Sequence, residues 1–277
     1  MKNIFLAFII CLFISQANGQ DSVFMHKKVY NMKYKLDIPV TVGLWATSIY
    51  GFYRLNQKPT LDINQINALD KNDIWAFDRV AVEQSYPAPS NIYTVSDIAL
   101  WTSYFLPALL FIDKEIRSEW LDITILYFET QAVNLNLYVW GGPVFTERIR
   151  PLVYYEEESM EYKLGPETTD SFFSGHVSIS AGASFFMAKV LSDYHPEWGA
   201  KKILVYTAAL IPPVIVGYCR YRGFMHFPTD LMLGLAVGAA VGITVPQLHK
   251  ITRKINKDLS IVPFTGPYTG MAFSMRF

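Results

Sequence analysis

The sequence predicts an all-α, membrane-embedded bundle of five or six apolar helices, ending in a short strand-like tail. Three observations carry this expectation. The chain has 277 residues, 51% of them hydrophobic and 15% aromatic, with 24 basic residues against 24 acidic. Such a chain is too apolar for a disordered polyelectrolyte and too neutral for a nucleic-acid binder. Apolar runs recur at about residues 38–53, 98–112, 121–140, 175–191, 203–219 and 231–248, separated by charged segments. Several approach the ~20 residues that a bilayer-crossing helix requires. In the last run, "GLAVGAAVG" places Gly234, Gly238 and Gly242 four apart, a stripe that lets a neighbouring backbone come close. Soluble helices rarely tolerate three such glycines.

Taken in order, residues 1–19 read as a secretory signal peptide: a basic start, an apolar run from Ile4 to Ile14, then Ala17, Asn18 and Gly19. Cys11 would leave with it, so Cys219 remains alone and no internal disulfide is expected. Residues 20–97 form an N-terminal segment with one apolar helix and a polar excursion over 56–97, rich in turn residues and with room for one short helix. Its "DKND" lacks the glycine and distal glutamate of a calcium loop and reads as a solvated turn. Residues 98–248 contain the remaining apolar runs; the third carries Glu129, Gln131, Asn134 and Asn136, which a membrane helix keeps for the bundle interior. Residues 249–277 are a basic helical segment followed by Met271, Phe273, Met275 and Phe277 alternating with small or polar residues, a strand pattern.

Charge asymmetry sets an orientation. Segments 21–36, 113–120, 189–202 and 249–258 are enriched in Lys and Arg and 143–173 is acidic, which places 143–173 outside the cytoplasm. A cleaved signal leaves the N-terminus outside too, so the first run, with Asp37, Pro39, Thr41 and Thr47, is expected to lie along the interface or pack without crossing.

Three segments at run boundaries concentrate the polar residues that greasy helices need least: "FTERIRPLVY", "SFFSGHVSIS" and "CRYRGFMHFPTD". Arg148 and Arg150 offer guanidinium donors that match phosphate oxygens in pairs, or serve as a snorkelling interfacial pair. Ser174, Gly175 and His176 fall in or near a helix first turn, capped by Asp170 or Ser171, where free N–H groups favour an anion. His176 could hand a proton to a departing oxygen. Arg220 precedes His226, and Pro228 opens a helix with Asp230 in its first turn. Asp230 could accept the His226 N–H and leave the other ring nitrogen as a nucleophile, or simply cap the helix.

Together the three segments resemble the type-2 phosphatidic acid phosphatase (PAP2) superfamily, which includes the vanadium haloperoxidases. The family pattern is Lys, six residues, Arg-Pro; later Pro-Ser-Gly-His; later Ser-Arg, five residues, His, three residues, Asp. Here Arg150-Pro151, Ser174-Gly175-His176, and Arg220, His226 and Asp230 stand in that order and spacing. The family lysine falls on Pro143, the proline before Ser-Gly-His is Phe173, and the serine before Arg220 is Cys219. The resemblance implies a PAP2-type bundle over residues 98–248 and a phosphatase without metal or cofactor. His226 would be the nucleophile, Asp230 its orienting partner and His176 the acid. Arg150, Arg220 and the Ser174 and Gly175 amides would hold phosphate, with Arg148 supplying the charge missing at Pro143. The implied substrates are phospholipid, lipid A or isoprenoid phosphates, met at the periplasmic face of a bacterial inner membrane. A haloperoxidase and a phospholipid-binding protein without turnover stand as alternatives. His26, His195 and His249 read as solvated, without partnering carboxylates.

Overall fold

The structure, a computed structural model, describes residues 28–264 and 270–275, those from 251 onward by secondary structure alone. The signal-peptide expectation and His26 lie outside the described residues.

Each of the six apolar runs is helical. We label the main helices α1 (Tyr34–Leu55), α2 (Ile92–Phe105), α3 (Trp120–Gly141), α4 (Gly175–Tyr194), α5 (Ile211–Arg222) and α6 (Pro228–Asp258). Prolines set several boundaries. Pro107 lies in the 3-10 turns over Leu106–Ile112 that extend α2. Pro212 sits in the first turn of α5, separating it from the preceding helix Lys202–Ala208. A proline has no N–H to donate and its ring disfavours helix before it, so both serve at helix starts. The basic segment 249–258 is not a separate helix but the end of α6, which runs unbroken for 31 residues. Beyond it, β1 (Leu259–Phe264) pairs antiparallel with β2 (Gly270–Met275).

Among the described residues, three stretches are long and apolar enough to cross a bilayer: Ile92–Ile112, Pro196–Arg222 and Pro228–Lys250. This is a membrane protein, though three stretches are fewer than the five or six apolar helices expected. The other three main helices are more polar, and several of their polar groups find partners between helices. The Asn136 amide of α3 donates to Leu44 O at 2.7 Å and Ser48 Oγ at 2.9 Å on α1. Asn134 exchanges two bonds with Ser178 of α4, at 2.8 Å and 2.6 Å. Buried amides satisfied in this way hold helices in register.

Helix α4 is the axis of the bundle, packed by α2, α3, α5 and α6. The glycines of α6 explain its closest contact. A Cβ on Gly234 would lie 2.5 Å from Ser174 O, one on Gly242 2.7 Å from Gly182 O, and one on Gly238 would overlap Ser178 O. The stripe therefore presses α6 onto the backbone carbonyls of α4. This pairing brings the first turns of α4 and α6 together at one end of the bundle. Tyr30, Leu126, Phe186 and Val245 belong to a buried cluster toward the other end.

The excursion over 56–97 is more ordered than a solvated loop. It contains short helices at Ile63–Asn67 and Ala76–Arg79, the first closed by an Asp62/Gln65 capping box. "DKND" is an exposed turn, but Ile74, Ala81 and Val82 pack on Phe227, setting the excursion over the α6 N-terminus.

Candidate active site

The three signature segments meet where α4 and α6 begin. Ser174 is the N-cap of α4, though its side chain forms no cap bond; contrary to the expectation from the sequence, neither Asp170 nor Ser171 caps this helix. The Ser174 N–H donates instead to Asp230 O at 3.1 Å, tying the two helix starts. That amide is spent and does not join an anion site. Gly175 and His176 contribute first-turn N–H groups with no intrahelical acceptor. Gly175 is required because a Cβ there would fall 2.8 Å from the Tyr138 ring, which lies against the turn.

His226 is buried, and its Nδ1 lies 2.7 Å from the Ser171 carbonyl. A carbonyl only accepts, so Nδ1 carries the proton and Nε2 is left with its lone pair. The expected partner, Asp230, is not the acceptor. Its carboxylate takes the Ser171 hydroxyl at 2.6 Å, the Phe227 N–H at 3.0 Å and Arg148 Nη1 at 2.5 Å. Asp230 thus acts on His226 through Ser171, one residue removed. The bond to Phe227 is also half of a capping box, fixing the α6 start that carries the aspartate.

Arg148 does not supply the missing phosphate charge. It bridges Asp230 to Asp78 Oδ2 at 2.6 Å, donates to Thr229 Oγ1 at 2.9 Å, and covers the Phe227 ring at 4.5 Å. Asp78, buried in the excursion, also accepts from the Thr229 N–H at 3.0 Å. A lysine does reach the Pro143 loop, from position 58. The Lys58 ammonium is taken up by the carbonyls of Pro143 and Thr146 and by Asp170, each at 2.8 Å.

Arg150 and Arg220 are different. Both are 8% exposed, and Arg220 makes no side-chain hydrogen bond or ion pair among the described residues. Among the described residues Arg150 meets Met225 Sδ at 2.9 Å, the Tyr162 hydroxyl and the exposed Glu167 carboxylate at 4.0 Å. The Nε groups of both arginines and the Ser174 hydroxyl are buried without a partner. Buried donors are normally satisfied, and a group of them around one space marks the place of an anionic ligand.

The electrostatics describe one shared cup. Burial, then the guanidiniums of Arg220 and Arg150, pull His176 down to about 3. Burial and the same two arginines hold His226 well below the ordinary histidine range, the Ser171 carbonyl opposing them and His176 adding to them. Both imidazoles are neutral in the empty site. Burial pushes the Tyr138 phenol up to about 12 against the pull of Arg150 and Arg220, so it stays protonated. Asp97 Oδ1 stands 3.6 Å from His176 Nε2.

The structure therefore brings together His226, His176, Arg150, Arg220, Ser174 and Gly175, holds Asp230 behind them, and diverts Arg148. Asp78, Ser171, Asp97 and Tyr138 were missed from the sequence; only Ser171, beside the Ser-Gly-His segment, stood near a signal. Of the three histidines read as solvated, the two that are described, His195 and His249, meet carboxylates instead. His195 lies 2.9 Å from Asp113 and 3.0 Å from Glu197, and His249 faces Glu129 and Asp37. All but Glu197 of these partners come from distant chain segments.

Residues 125–254 match the family model described as the PAP2 superfamily. No curated protein matches the chain. A similar solved structure is the transmembrane PAP2-type phosphatidylglycerolphosphate phosphatase from Bacillus subtilis, at 20% identity and a TM-score of 0.43, covering 78% of this chain and 96% of that one. The family match spans the Arg-Pro, Ser-Gly-His and Arg-His-Asp segments, so it is over residues 125–254 that this chain is similar to the PAP2 superfamily.

Proposed function

We propose that this protein is a metal-independent phosphatase that hydrolyses a lipid phosphate monoester or pyrophosphate through a phosphohistidine. The observation that supports it best is the pairing of two neutral imidazoles with two buried, under-satisfied guanidiniums at the joined starts of α4 and α6.

Arg150, Arg220 and the first-turn N–H groups of Gly175 and His176 receive the phosphate oxygens. Phosphoryl transfer depends chiefly on such positioning and charge stabilisation. His226 Nε2 attacks phosphorus while Nδ1–H stays on the Ser171 carbonyl, which stabilises the charge on the phosphorylated ring. His176 protonates the leaving oxygen, and then takes a proton from the water that releases phosphate. A bound phosphate brings negative charge beside the arginines that depress His176, so substrate itself raises the imidazole toward the protonated form its role requires.

A lipid substrate is supported by an apolar groove of about 430 Å³, lined by Val177, Pro213, Gly217, Leu231 and Leu235 between α4, α5 and α6. Val177 adjoins His176 in sequence, so an acyl or isoprenoid chain in the groove would leave its phosphate at the cup. Phosphatidylglycerophosphate, phosphatidic acid, lipid A phosphates and undecaprenyl pyrophosphate all fit this description. By the charge rule the cup opens to the periplasm from the inner membrane.

Purified protein in detergent is expected to release phosphate from at least one of these lipids without added metal. His226→Ala is expected to lose release entirely, and acid-labile phosphate should be trapped on the wild type alone. Equal release by the variant overturns the nucleophile assignment. The replacement of the family lysine by Pro143, with Arg148 and Lys58 both committed elsewhere, favours a second reading, a phospholipid-headgroup binder with little turnover. Saturable lipid binding without phosphate release would establish it.

A further inference from the structure

At the end of the bundle away from the cup, Asp37 of α1, Glu129 of α3 and His249 of α6 offer one ligand atom each, all within 4.8 Å of one another. His249 follows Asp230 by 19 residues of one helix, a rise of about 29 Å, so this cluster is separate from the phosphate chemistry. Asp37 is buried, and the His249 and Glu129 side chains are nearly so.

The donor arrangement is that of a ligand set. His249 Nδ1 lies 3.0 Å from the Val245 carbonyl, which places a proton on Nδ1 and turns Nε2 toward the two carboxylates. Nε2 stands 3.3 Å from Glu129 Oε2 and 3.8 Å from Asp37 Oδ2. Glu129 Oε2 is fully buried, and His249 Nε2 is the polar group it faces. Thr41, one turn along α1 from Asp37, has a buried hydroxyl that is unpartnered. Two buried carboxylates facing one imidazole nitrogen call for positive charge among them, which a metal ion or a proton on Nε2 can supply. Zinc bonds of about 2.0–2.2 Å to nitrogen and oxygen put neighbouring ligand atoms about 3.4 Å apart, close to the spacings here. A backbone carbonyl on the other nitrogen is the usual outer partner of a ligating histidine.

We propose that Asp37, Glu129 and His249 hold a divalent transition-metal ion that clamps α1 to the bundle. The ion is structural, with Zn²⁺ the best match to one imidazole and two carboxylates.

The test uses the full chain in detergent, stripped with a chelator and titrated with Zn²⁺. Elemental analysis after desalting is expected to find about one zinc per chain, with a rise in melting temperature. Both should be lost in Glu129→Gln and His249→Ala, and retained in His226→Ala. Replacing Zn²⁺ by Co²⁺ in the wild type should give visible absorption bands of a nitrogen- and oxygen-ligated ion, a reading that does not depend on any variant folding. The proposal is overturned by less than about a tenth of an equivalent of metal with no cobalt bands. Binding that survives Glu129→Gln, or that disappears in His226→Ala, also overturns it by placing the ion elsewhere. In that case His249 carries a proton in place of the metal.

Discussion

Arg148 and Arg220 are both arginines of a signature segment, yet their neighbours give them different work. Among the described residues Arg220 has no side-chain hydrogen bond or ion pair, whereas Arg148 is committed to Asp78 and Asp230. Arg220→Ala is expected to lower kcat/KM by about 10²–10³, the usual cost of removing a donor aimed at transition-state charge. Its melting temperature should stay unchanged or rise, because an unpaired buried cation is removed. Arg148→Ala should instead lower the melting temperature, since it leaves two buried carboxylates facing each other. Steady-state kinetics and thermal denaturation of the two variants check this division. A further residue prediction concerns Asp78, which reaches His226 only through Arg148, Asp230 and Ser171. Asp78→Asn should lower kcat by about 10²-fold with little change in KM, the signature of a displaced group, and Asp78→Glu should recover part of it. A proportional rise in KM would assign Asp78 to substrate binding instead.

At the scale of elements, the contact of α6 on α4 decides whether a site exists. The glycine stripe lets Asp230 O meet the Ser174 N–H, so the spacing between the helices and the geometry of the cup are one quantity. Gly238→Ala inserts a methyl group against Ser178 O and is expected to cost about 1–3 kcal/mol, read as a lower midpoint in chemical denaturation. Activity should fall with it. The same substitution at Gly43, where a Cβ meets nothing, should leave both unchanged. The stripe was legible in the sequence because its period of four is local. The excursion over 56–97 was not legible in the same way. Its composition announces a polar loop, and nothing within it shows that Asp78 turns inward to an arginine 70 positions later.

For the whole molecule, the cup is a source of acid sensitivity. His176 titrates near 6.5 when unfolded and about 3 when folded, and His226 is displaced in the same direction. Between those values the unfolded chain binds more protons, so stability is fully present above about pH 6.5 and declines as pH falls toward 3. The melting temperature in detergent should therefore drop between pH 7 and pH 4, and less steeply in His176→Asn. Bound phosphate or vanadate should flatten the wild-type curve by opposing the arginines. Identical curves for the two proteins would remove His176 from this account. By itself the sequence determined the helical runs, the family order of Arg150, His176, Arg220, His226 and Asp230, and the small-residue face of α6. All of these are patterns of residue type and spacing along the chain. Only the tertiary structure decided which polar groups are free: that Arg148, Lys58 and the Ser174 N–H are spent, that Ser171 and not Asp230 takes the His226 proton, and that His249 faces carboxylates. A donor or acceptor can be used only as often as its valence allows, and its users arrive from parts of the chain that no local pattern connects.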